Sequence, residues 1–154
     1  RGTRHNGWAA ICYVWLKVVA VRVGMGVGWG SVMGVQFGTS WAVRSTRAGS
    51  IIGPLLSYGV RTAFFLEATF LGVMLLGWKR VSGRLHFFAT CMVALGTLIS
   101  TFWIISANSW MQTPQGYRIV NGIFEPDSWR ASIFNPSFPS RLAHMRLGGF
   151  INTC

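Results

Sequence analysis

Residues 63–80 read AFFLEATFLGVMLLGWKR and residues 85–114 read LHFFATCMVALGTLISTFWIISANSWMQTP. Two long apolar runs are joined by a short basic link. Between Thr62 and Trp78 the first run carries a single charged side chain, Glu67, and from Leu85 to Tyr117 there is no Asp, Glu, Lys or Arg. A helix rising about 1.5 Å per residue needs roughly 20 such residues to cross a hydrocarbon core of about 30 Å. Both runs therefore predict membrane-spanning helices. A carboxyl group in the middle of one is costly to insert, which makes Glu67 a functional-site candidate. The plainer alternative is a neutral acid bonded to a neighbouring carbonyl.

The composition agrees with a membrane chain. Of the 154 residues, 51% are hydrophobic and 11% charged, against about 25% charged in a typical soluble domain. Mean hydropathy is +0.43. Eight Trp and eleven Phe suit interfacial belts. The net charge of +11 raises the question of nucleic acid, but the cations are scattered singly and no RNA-binding signature occurs, so no nucleic-acid partner is expected. Cys12, Cys91 and Cys154 form no CxxC pair or zinc spacing. Cys91, inside an apolar run, is expected in the core.

Outward from the opening stretch, a further apolar run covers about 11–37, with Lys17 and Arg22 inside it. Its GMGVGWG segment lacks the preceding strand and following acid of a nucleotide loop. Gly26, Gly30 and Gly34, four apart, instead permit close approach of a helix or a porphyrin. Residues 38–50 are polar and loop-like. The predicted architecture is all-α, a multi-span transmembrane bundle with spans near 11–37, 51–77 and 85–107 and a partial fourth at 140–154. Residues 108–138 form an exposed outer loop. The positive-inside rule puts the basic link 79–84 and residues 1–10 on the cytoplasmic side, with Arg44 and Arg47 against the trend. The chain begins with Arg and ends at GGFINTC inside an apolar pattern, and is read as an internal piece of a longer protein.

Three side chains are candidates for chemistry. Glu67 lies about ten residues from the inner end of its helix, roughly 15 Å deep. A low-dielectric setting disfavours the charged form of a carboxyl group, which suits reversible proton uptake. Ser100, about fifteen residues from the same side, can relay a proton or anchor a water; a membrane-helix Ser also commonly bonds to the preceding turn. His144 stands in RLAHM near the start of the last helix, where packing and a ligand role are both open. His5 and His86 are read as interfacial or solvated, and Asn108, Trp110, Met111 and Gln112 as packing and capping residues.

The motifs FFLEATFLG, GWKR and TFWIISANSWMQTP, in this order and spacing, resemble subunit I of the cytochrome bd family of quinol oxidases, most closely its cyanide-insensitive branch. The resemblance runs from about Trp15 to about Met145. It implies a multi-pass subunit in the bacterial inner membrane, paired with subunit II in the lipid bilayer. It also implies that quinol is oxidised on the outer side and oxygen reduced to water with protons taken from the cytoplasm. The implied cofactors are a low-spin haem b, a high-spin haem b, and haem d or a haem b in its place. By position, Glu67 and Ser100 match the proton route, and His144 matches the axial ligand of the low-spin haem b. Met145, its neighbour, points about 100° away and cannot be the opposite ligand. The other ligands and the quinol loop belong to parts of the family outside these residues, so the segment alone is expected to be inactive.

Departures from the family pattern stand beside the resemblance. A second acid is expected eight residues before Glu67; Gly59 is there, in Tyr58-Gly59-Val60-Arg61. Arg22, Arg61 and Arg146 intrude on apolar runs, each costing about 2.5–3.5 kcal/mol at mid-membrane. A proton-coupled transporter would also use an intramembrane Glu, without needing His144 or ANSWMQTP. A non-catalytic packing segment would need none of the three candidates.

Overall fold

The computed structural model describes residues 3–77 and 80–153, with the side chains of residues 3–6, 9, 31, 34, 38, 63–64 and 153 outside that description. The expectations for Arg1, Arg4, His5, Gly34, Trp78, Lys79 and Cys154 lie outside the described residues. The element order is α1 (Thr3–Gly38), α2 (Ala42–Gly59), a π-helical turn (Val60–Phe64), α3 (Phe65–Leu76), α4 (Gly83–Gln112), β1 (Tyr117–Val120), β2 (Ile123–Pro126), α5 (Trp129–Ile133) and α6 (Phe138–Thr153). Among the described residues, three stretches are long and apolar enough to cross a membrane: Ala10–Phe37, Ala42–Leu76 and Gly83–Gln112. The chain is a helical membrane bundle, as its apolar runs predict.

Residues 1–42 and 43–154 form two separate compact units. In the first, α1 leaves Trp8, Trp15, Val21 and Trp29 exposed. The charge at Lys17 is accommodated locally, its ammonium lying 4.7 Å from the Tyr13 ring centroid.

In the second unit, α2 starts at Ala42, well before the apolar run at 51. The polar 42–50 segment is helical, not a loop: its Ala and Arg residues favour helix. Pro54 sits inside α2, and the π turn follows it before Glu67. In lipid every backbone carbonyl needs a partner. The Thr62 hydroxyl supplies one, donating to the Tyr58 carbonyl at 2.6 Å.

α3 and α4 are antiparallel neighbours. Ser82 caps α4, its hydroxyl accepting from the Leu85 amide. Two contacts fix their register, His86 Nε2 at 2.9 Å from the Met74 carbonyl and Phe70 edge-on to Phe88, and further along α4 Trp103 stacks on Tyr58 of α2. His86 is thus a packed, hydrogen-bonded residue and not a solvated one. Cys91, expected in the core, is exposed on α4, because the buried stripe of that helix runs through Ala89 and Gly96. Phe65, Leu76, Phe87 and Ile104 are also exposed, as side chains facing lipid should be.

The segment after α4 is more ordered than an exposed loop. Asn121 and Gly122 both adopt positive φ, 52° and 79°, the backbone of a type I′ hairpin turn. They join β1 to β2 in an antiparallel pair with Ile119 opposite Phe124. The Ser50 hydroxyl donates to the Phe124 carbonyl, tying the hairpin to α2. Tyr117, Phe124 and the buried Trp110 pack edge to face.

A buried polar hub then directs α6. Thr113 Oγ1 lies 3.1 Å from Asn135 Oδ1 and 2.7 Å from Ser137 Oγ, and Asn135 Nδ2 donates to the Ser132 carbonyl. Asn135, Ser106 and Ser132 are fully buried. Ser106 donates to the Ile133 carbonyl and Ser132 to the Gln115 carbonyl. Asn135→Leu should leave the Thr113 and Ser137 hydroxyls and the Ser132 carbonyl short of partners and cost about 1–3 kcal/mol. The check is amide hydrogen exchange across 129–138 in detergent, where protection should fall in the variant while the middle of α4 keeps its own.

Candidate functional site

Glu67 sits in the first turn of α3, half-buried, just past the π turn. Among the described residues the ion pair present is Arg118–Glu125, so the Glu67 carboxylate is not tied to a cation. Ser100 is half-buried on α4. Thr90, Thr97 and Thr101 on the same helix donate to carbonyls one turn back. Ser100 makes no such bond among the described residues, so its hydroxyl is available.

The α3–α4 register decides how these two relate. Running from Met74–His86 through Phe70–Phe88 to Tyr58–Trp103, it sets Glu67 level with the α4 residues near Val93, and Ser100 level with Val60. The two groups share one interhelical seam but lie roughly 10 Å apart along it. Ser100 is therefore beside Gly59, the position where the second acid was expected. A Cβ on Gly59 would meet Trp103 Cβ at 3.2 Å. The glycine leaves room for α4 to come close beside the Tyr58–Trp103 stack.

His144 is exposed in the second turn of α6, on the wall of an open cavity of about 490 Å³. Ile105 and Asn108 of α4 and Ser140, Arg141 and Met145 of α6 complete the lining. Met145 thus shares the cavity wall with His144, yet adjacent residues of one helix cannot grip one iron from opposite sides. Arg141 Nη1 donates to Asn108 Oδ1 at 2.8 Å, which joins α6 to α4 beside the imidazole. On α4 the cavity lies about 20 Å from the level of Glu67. The structure therefore separates the carboxylate and the imidazole into two sites. Among the described residues no cluster of three His, Cys, Asp or Glu could hold a metal ion. A porphyrin iron needs only single axial ligands, and an imidazole on an open, largely apolar wall with a guanidinium at one side fits a haem.

The profile of cytochrome bd terminal oxidase subunit I matches residues 1–154. The chain belongs to the cytochrome bd terminal oxidase subunit I family. It is 36% identical over 139 residues to the cytochrome bd-II ubiquinol oxidase subunit 1 of Escherichia coli (strain K12), covering 89% of this chain and 27% of that protein. It is 34% identical to the cytochrome bd ubiquinol oxidase subunit 1 of Bacillus subtilis (strain 168), over 87% of this chain and 29% of the relative. A solved bd oxidase from Geobacillus thermodenitrificans superposes with a TM-score of 0.83 at 32% identity, over 93% of this chain and 34% of its own. The chain thus spans about a third or less of each relative.

Within this bd-family segment, two departures are visible as packing. Arg61 is exposed on the π turn. The Nε of Arg146 is buried with no partner among the described residues. The hub of Ser106, Thr113, Ser132 and Asn135 was not anticipated. Ser106, Ser109 and Thr113, three and four apart on one face of α4, are the signal that could have found it. A second hollow of about 230 Å³, lined by Arg44, Ala48, Ile52, Trp110, Met111 and Phe124 among others, had no clear signal.

Gly59→Leu should force Trp103 out of its stack on Tyr58 and cost about 1–3 kcal/mol by overpacking. Thermal unfolding in detergent followed by tryptophan fluorescence checks this. A midpoint equal to that of the unsubstituted protein would mean the seam has room to spare.

Proposed function

We propose that this chain is the part of a bd-type oxidase subunit I that contributes one axial ligand of the low-spin haem b and part of the cytoplasmic proton route. The whole enzyme, with subunit II in the bacterial inner membrane, would oxidise quinol and reduce oxygen to water. Its further cofactors are a high-spin haem b and either haem d or a haem b in its place. The observation that carries the reading is His144 on the wall of an open cavity of about 490 Å³, in a chain of this family.

When bound there, the haem supplies one-electron redox chemistry. The chain's own residues do the rest. His144 would offer an imidazole nitrogen, and its turn of α6 is held against α4 by the Arg141–Asn108 bond. Ile105 and Met145 would present apolar surface to the bound group. On the separate seam, Glu67 takes up and releases a proton, and the Ser100 hydroxyl, further along, passes one on.

In the full-length enzyme, His144→Ala should abolish the low-spin haem b band in the dithionite-reduced spectrum. An unchanged band would make His144 a packing residue and sink the assignment. Glu67→Gln should slow oxygen consumption at least tenfold while sparing that band, because the two sites lie far apart. Wild-type turnover in the Gln variant would remove Glu67 from the proton route.

A further inference from the structure

One turn before His144 stands a cation on the same cavity wall. Arg141 lines the same cavity and is half-buried. Its guanidinium carries five N–H donors, and the bond that holds it goes to a neutral amide, Asn108 Oδ1. The chain has three acids. Glu125 is paired with Arg118, Glu67 lies on the other seam, and Asp127, exposed just after β2, is not part of the cavity lining. Among the described residues no carboxylate pairs with Arg141.

We propose that Arg141, aimed by Asn108, is the anion-binding residue of the His144 cavity and holds a carboxylate of the haem's edge. This rests on the haem reading of His144. Residues three apart on a helix project on the same face, so the imidazole addresses the centre of a flat macrocycle while the longer guanidinium reaches its acidic rim. Arginine matches a carboxylate through two parallel N–H···O bonds, which gives orientation as well as attraction. The amide of Asn108 suits the task because it fixes the guanidinium without neutralising it. The positive charge beside the macrocycle favours the reduced iron, which carries one positive charge fewer than the oxidised form. Arg141 therefore tunes the haem potential as well as its seating.

The test is redox titration of the low-spin haem band in the full-length enzyme. Arg141→Gln should lower the ferrous-to-ferric ratio at the wild-type midpoint about tenfold, a shift of ~59 mV for one electron. Arg141→Lys and Asn108→Leu, which keep the charge, should stay within about twofold of wild type. Asn108→Asp offers the guanidinium a competing carboxylate and should lower the midpoint as Arg141→Gln does. It supplies the readout should the Gln variant fail to assemble. A wild-type midpoint in both Arg141→Gln and Asn108→Asp overturns the proposal. So does an equal shift in Asn108→Leu and Arg141→Gln, which would make Arg141 only a pin between helices. A low-spin band that survives His144→Ala refutes the haem reading itself; a band lost there but insensitive to Arg141 refutes this inference alone.

Discussion

Residues 43–154 depend on one constraint: α4 must serve three partners along one length. Its first half receives α3 through the His86–Met74 bond and the Phe70–Phe88 contact. Its middle receives the end of α2 through Gly59 and the Tyr58–Trp103 stack. Its last turns receive α5 and α6 through buried hydroxyls and amides. Glu67, Ser100 and His144 owe their depths to that helix. Ring contacts and one hydrogen bond set the contacts of its first half and middle, whereas hydrogen bonds predominate at its last turns. The change of chemistry falls where the helix would leave the hydrocarbon and meet water.

Much of this was legible in the residues. Charge-free runs of membrane length give the helices, because a bilayer imposes a length that composition must meet. Glu67 stood out because a lone carboxyl in such a run is rare. His144 had only its resemblance to the family: an imidazole with apolar neighbours looks the same whether it packs or ligates. The hairpin had a local signal in Asn121-Gly122, hidden within a segment that reads as generally polar. The helical start at 42–50 is not legible from polarity, because polar residues suit a loop and an exposed helix end equally. Cys91 is exposed where a core position is expected, and His86 is half-buried and hydrogen-bonded, since burial depends on the rotation of α4 and a uniformly apolar run does not reveal its facing side.

The hub around Thr113 and Asn135 bears on why the signature ANSWMQTP has the residues it has. Trp110 is buried and donates its indole N–H to the Gln115 carbonyl. Asn108 holds Arg141, and Thr113 caps the helix while gripping Asn135. Pro114 then ends the helical path. The motif belongs less to α4 than to the joint between α4 and the chain that follows. Its polar side chains do there what a short turn does in a water-soluble protein.

The π turn at 60–64 changes how the long helix from Ala42 to Leu76 must be counted. A turn with one residue more than the α-helical period rotates everything beyond it by about 100° relative to what came before. Projected as one uniform helix, Tyr58 and Glu67 would be assigned to wrong relative faces. The extra residue works as an angular offset: the chain upstream is phased by its contact with Trp103, the chain downstream by its contact with Phe88. The two halves can then be mutated, and can drift in sequence, under separate rules while remaining one continuous helix.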